Sequence, residues 1–103
     1  MTALRIERVD AAHARVGGRL GFAEASAALA RGGELFGNAV GDVAVDVADV
    51  QGIDSATLAV LLAWAARARV GKVSLRFTRA PANLKALAHL CDAEPLLGLN
   101  AEG

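Results

Sequence analysis

The stretch Asp42-Val43-Ala44-Val45-Asp46-Val47-Ala48-Asp49-Val50-Gln51-Gly52-Ile53-Asp54-Ser55-Ala56-Thr57-Leu58 changes its hydrophobic period once, and that change decides the fold. As far as Val47, valine recurs at every second position, which is strand chemistry. Ala48 to Gly52 reads as a short loop. Asp54 or Ser55 then stands where a helix needs an N-cap, and a helix follows from about Ser55 to Arg69. Gly71 ends it. Arg67 and Arg69 fall in its last turn, where the helix dipole favours positive charge.

Working outward toward the C-terminus, Lys72 to Phe77 alternates apolar and polar residues and reads as a strand. Pro81 suits a helix start. Asn83 to Cys91 reads as a helix with Leu84, Leu87, Ala88 and Cys91 on one face, and Pro95 and Gly98 break any continuation. Leu99 to Gly103 reads as a loose tail. Toward the N-terminus, Leu4 to Val9 alternates as a strand, and Asp10-Ala11-Ala12 is a turn. Ala14 to Leu20 is a second short strand, weakened by Gly17 and Gly18, close enough to pair as a hairpin. Phe22 to Phe36 reads as one helix with Phe22, Ala25, Leu29 and Phe36 near one face. Gly32-Gly33 frays or kinks its end, and Gly37-Asn38 stops it. The order β-β-α-β-α-β-α predicts a single α/β domain over residues 1–103. Its mixed sheet has four to five strands, with an antiparallel N-terminal hairpin, parallel β-α-β units after it, and about three main helices.

Eleven basic and eleven acidic residues balance over 103 positions, so no charge footprint for nucleic acid or an anionic surface is visible. Met1 to Asp10 carries too many charges for a signal peptide, and Cys91, the single cysteine, cannot form an intrachain disulfide. Ser55 to Ala66 is the longest uncharged apolar run, 12 residues against the roughly 20 that a membrane span needs. A cytoplasmic chain without direct membrane insertion is expected. No catalytic constellation, cofactor motif or metal site is expected. His13 and His89 are isolated, and Cys91 reads as a small buried residue. Asp46, Asp49 and Asp54 offer too few convergent oxygens for a hard cation.

On a helical wheel, Leu58, Leu61, Leu62 and Ala65 share the core face of the 55–69 helix. Ala56, Val60, Ala63 and Arg67 oppose them, with Ala59 and Trp64 on the shoulders. A surface helix normally carries charge there, and this one has none before Arg67. Two readings fit. The helix is buried on both sides within its own domain, or Ala56, Val60, Ala63 and Trp64 meet a partner. The same face offers a route to self-association. The helix start also has two readings: simple capping, or a hydroxyl set at a positive helix end for a phosphate or a partner's polar group.

The stretch from Val43 to Leu62 resembles the signature of the STAS domain family. The family pattern is an apolar strand ending in Asp, eight residues to a second Asp, then Ser or Thr, then a Leu-rich helix. Asp46, Asp54 and Ser55 match it. Gly18-Arg19-Leu20 is similar to the family's Gly-x-Leu, and Asn83 to Leu97 to its closing helix. The family includes bacterial anti-sigma-factor antagonists and the STAS subunit of the Mla phospholipid-transport ABC complex. The family usually carries Gly where Thr57 stands, and the antagonists, whose hydroxyl matching Ser55 is phosphorylated, usually continue with a further strand and helix, whereas this chain ends about a dozen residues after Cys91. The resemblance therefore implies, first, a non-enzymatic subunit that binds the ATPase of a Mla-type transporter at the cytoplasmic side of the membrane. The implied contact centres on Ser55, with Ala56, Thr57, Ala59, Val60, Ala63 and Trp64 around it. The alternative it implies is an anti-sigma-factor antagonist whose Ser55 is phosphorylated by a partner kinase.

Overall fold

A computed structural model describes residues 3–37 and 41–98. Strand β1 (Arg5–Asp10) turns back into β2 (His13–Arg19), and the two pair antiparallel, with Ile6 opposite Val16. A 3-10 turn (Phe22–Glu24) leads into α1 (Ala25–Arg31) and α2 (Gly33–Phe36). Then come β3 (Gly41–Gln51), α3 (Ser55–Val70), β4 (Val73–Thr78), α4 (Ala82–Leu90) and α5 (Glu94–Leu97). The sheet order is β1-β2-β3-β4, and β2-β3 and β3-β4 are parallel. Among the described residues, four strands thus form the mixed sheet expected, with three sizeable α-helices among five.

The alternation read in the sequence decides which face is covered. Val43, Val45 and Val47 of β3 and Val73, Leu75 and Phe77 of β4 are buried under the helices. Their neighbours His13, Arg15, Ser74 and Arg76 are exposed on the other face of the sheet. α3 packs along β4 and against α1, α2, α4 and α5, so it is the central helix of the covering layer.

Several boundaries differ from the sequence reading, each for a local reason. Ala48 to Gln51 is strand, because β3 bulges between Asp46 and Asp49 and then resumes pairing with Gly17 to Arg19. Asp46 stabilises the bulge by accepting the Ala48 N–H at 2.9 Å. The expected 22–36 helix is three segments, broken at Gly32. A Cβ there would overlap the Trp64 indole, so glycine lets that ring seat against the backbone. The buried residues of these segments are Ala28 and Leu35, while Phe22 is 81% exposed. Cys91 lies just past α4 and is exposed, which corrects its reading as a buried residue. Pro95 is the second residue of α5 rather than the stop of a helix, since the first turn needs no N–H from it. Asn38, in the expected helix stop, and the tail Leu99–Gly103 lie outside the described residues.

Candidate functional site

The α3 start is built by a reciprocal cap. Asp54 has extended backbone and is the N-cap. Its Oδ1 accepts the Ala56 N–H at 2.9 Å and the Thr57 N–H at 3.1 Å. Thr57 Oγ1 accepts the Asp54 N–H at 3.0 Å, completing the capping box with a threonine in place of the usual Glu or Gln. Thr57 is fully buried, and its hydroxyl donates to Leu20 O, at the end of the β2 segment. A glycine here could not make that bond, so Thr57 ties α3 to the first half of the chain.

The expected contact residues divide into two groups. Ser55 and Ala59 are exposed, and Ala56 and Ala63 are half-buried. Thr57, Val60 and Trp64 are buried inside the domain, with Val60 at 1% and Trp64 at 0% exposure. Trp64 Nε1 donates to Ala28 O at 3.0 Å, and Arg67 donates to Leu29 O at 3.0 Å. The uncharged face opposite Leu58 and Leu61 is therefore covered by α1 and α2. This corrects the placing of Thr57, Val60 and Trp64 on a partner surface. Of the two readings of the helix wheel, burial on both sides describes most of the helix.

A narrow stripe of α3 remains open. Ser55, Ala59, Ala66 and Val70 are exposed, and Leu62 and Ala63 are half-buried between them. These positions recur every three or four residues, so they lie along one line of the helix. Beside its start stands Phe22, exposed and tethered by its N–H to Asp54 Oδ2 at 3.1 Å. Sequence reasoning missed Phe22 because helix periodicity assigned it to the core. The Gly before it was the available signal, since Gly21 lets the 20–24 segment touch the Gly52 backbone.

The hydrogen bonds from Thr57, Phe22 and Ala56 N–H groups, in that order, hold the Asp54 carboxyl below the usual carboxylate range. The cap it makes is therefore present above an ordinary aspartate's pKa, about 3.9. It is lost only as pH falls through the depressed folded value. A carboxyl chemical-shift titration should place the Asp54 midpoint below the ordinary value, with the Phe22 amide shift following the same curve. A midpoint at or above the ordinary value would contradict this geometry.

The open sheet face holds a shallow cleft of about 220 Å³ lined by Val9, His13, Arg15, Ala44, Asp46 and Thr78. Its charges offset one another. His13 Nδ1 lies 2.9 Å from Asp10, Arg79 donates to Asp46 at 3.3 Å, and Arg15 stands opposite Asp46. Among the described residues, no group of three His, Cys, Asp or Glu side chains stands where it would hold a metal ion. No helix of the described residues is long and apolar enough to cross a membrane.

A four-stranded mixed sheet, covered on one face and carrying a capped Asp-Ser helix start, defines a STAS-type α/β domain. The family described as "Mlab, STAS domain" matches residues 5–98, nearly the whole chain, and the chain belongs to the STAS domain family. A search of curated proteins found no match.

Proposed function

We propose that this chain is a non-enzymatic subunit of a Mla-type phospholipid-transport ABC complex that binds the cytoplasmic ATPase at the α3 start. The observation that carries this reading is the surface made by three exposed uncharged side chains, Ser55, Ala59 and the 81% exposed Phe22, around a helix end capped by Asp54. Exposed aromatics on a fixed backbone are efficient anchors, because a large apolar ring is buried at the cost of only two side-chain torsions. The family description supports the choice of partner. The subunit acts by differential binding: if it prefers one ATPase conformation, it shifts the population toward that conformation. Its place in the cell is then peripheral to the inner membrane, through the ATPase. The wild-type chain is expected to co-purify with the ATPase at a fixed stoichiometry that survives gel filtration. Separate elution of the two proteins at micromolar concentrations would contradict the reading.

One observation favours a second reading. Ser55 is exposed at the first turn of α3, whereas the Thr57 hydroxyl is buried, so a kinase would meet only Ser55 here. As an anti-sigma-factor antagonist, the chain would be switched by phosphate at Ser55, which adds charge at the docking surface. Intact-mass analysis after incubation with a cognate kinase and ATP separates the two readings. A phosphate mapping to Ser55 supports the switch, and no mass gain counts against it.

A further inference from the structure

Phe22 precedes Asp54 by 32 positions, yet its N–H donates to Asp54 Oδ2. The other carboxylate oxygen, Oδ1, accepts the Ala56 and Thr57 N–H groups. One carboxylate therefore closes two helical starts, the 3-10 turn at Phe22 and α3 at Ser55. Beside that carboxylate the backbones of Gly21 and Gly52 approach closely, and the missing side chain of Gly21 makes the room. A Cβ on Gly21 would lie 2.6 Å from Gly52 O and 3.1 Å from Asp54 Oδ2. Glu24 secures the other side of the turn, its Oε1 accepting the Gly21 N–H at 2.9 Å. The Phe22 ring itself has little packing to hold it, being 81% exposed. Its position is set through the backbone: Leu20 is bonded on both sides, to Gln51 O and to the Thr57 hydroxyl, and Asp54 fixes the Phe22 N–H itself.

We propose that Asp54 is the positioning residue of the docking surface: its carboxylate fixes Phe22 relative to Ser55 and Ala59, so that two distant segments present one preformed patch. This rests on reading the α3 start as the docking site. Without the tether, Leu20 and Glu24 still hold the two sides of the turn, but the Phe22 position itself loosens, the partner must fix it on binding, and affinity falls by that ordering. The surface is then bipartite, and its partner must offer an apolar recess for Phe22 beside a flat contact for Ser55 and Ala59.

Asp54→Asn isolates the tether. An asparagine side chain has one acceptor oxygen and one NH₂ donor. With its oxygen toward Ala56 and Thr57 it keeps α3 capped, while its NH₂ faces the Phe22 N–H and that bond is lost. Hydrogen exchange by NMR should then speed about tenfold or more at Phe22, as expected for a lost charge-assisted bond. The amides of the middle of α3 should keep wild-type protection. Asp54→Ser, a good N-cap too short to span both segments, should behave alike and guards against a folding artefact. Affinity for the purified transporter ATPase should fall about tenfold in Asp54→Asn, and by less than about twofold when the change is made in a Phe22→Ala background. Unchanged exchange at Phe22 would overturn the tether alone. Additive affinity losses would show that Asp54 does not act through Phe22 and would overturn the positioning role. Faster exchange with unaltered affinity in both Asp54→Asn and Phe22→Ala would overturn the docking surface on which the proposal stands.

Discussion

Replacing Trp64 by alanine is expected to destabilise the fold by about 3–5 kcal/mol, the range for truncating a fully buried large aromatic. The ring is completely buried, its N–H is bonded to Ala28 O, and its edge fills the space that Gly32 leaves open. Alanine would leave a void between α3 and the α1–α2 segment and would strip the Ala28 carbonyl of its donor. A domain of this size has only about 5–15 kcal/mol in total. The variant should therefore show a urea midpoint lowered by about a fifth or more, and any loss of partner binding would follow from unfolding. A Trp64 at an interface would behave differently: its truncation would leave stability within about 1 kcal/mol and reduce affinity alone. Equilibrium urea denaturation of the isolated chain separates these outcomes. Val60→Asp falls under the same logic, since it puts an unpaired charge at a site 1% exposed.

Ser55→Arg is expected to do the reverse. Ser55 is exposed and opens α3, so no core contact is disturbed. Positive charge at a helix N-terminus is unfavourable, but only by about 0.3–1 kcal/mol. A long charged side chain between Phe22 and Ala59 would hold the partner away and force a buried charge if contact were made. Loss of a central contact of this kind typically exceeds 2 kcal/mol, so affinity for the ATPase should fall about thirtyfold or more. Ala59→Asp, one turn further along the same exposed line, should act in the same direction. The opposite profiles of Trp64→Ala and Ser55→Arg separate the packed side of α3 from its open side.

The sheet was legible where its strands keep a period of two: Val43, Val45 and Val47 are buried just as their alternation requires, and the reading failed at Ala48 to Gln51, beyond the β3 bulge. The α3 start was legible for a similar reason, since Asp54 caps through local bonds that need no distant partner. What escaped depended on contacts distant in sequence. The wheel of α3 is apolar nearly all round, so its direction could not be read from the residues. The decision came from α1 and α2, which cover Val60 and Trp64. Gly32 looked like a frayed helix end, yet it is the seat for an indole 32 positions away. Phe22 looked like core because it shares a helical period with Ala25 and Leu29, but the chain there is a 3-10 turn, and the period does not hold across it. Thr57, a departure from the Gly of the family pattern, is a buried tie between α3 and Leu20.

The central claim is that the chain docks through the open start of α3. Calorimetric titration of the purified ATPase with wild-type chain and with Ser55→Arg, each checked by thermal melting, tests it most directly. Saturable binding by the wild type and a loss of about thirtyfold or more in a Ser55→Arg chain that melts within a few degrees of wild type is the expected result. Wild-type affinity in a fully folded Ser55→Arg chain would contradict it.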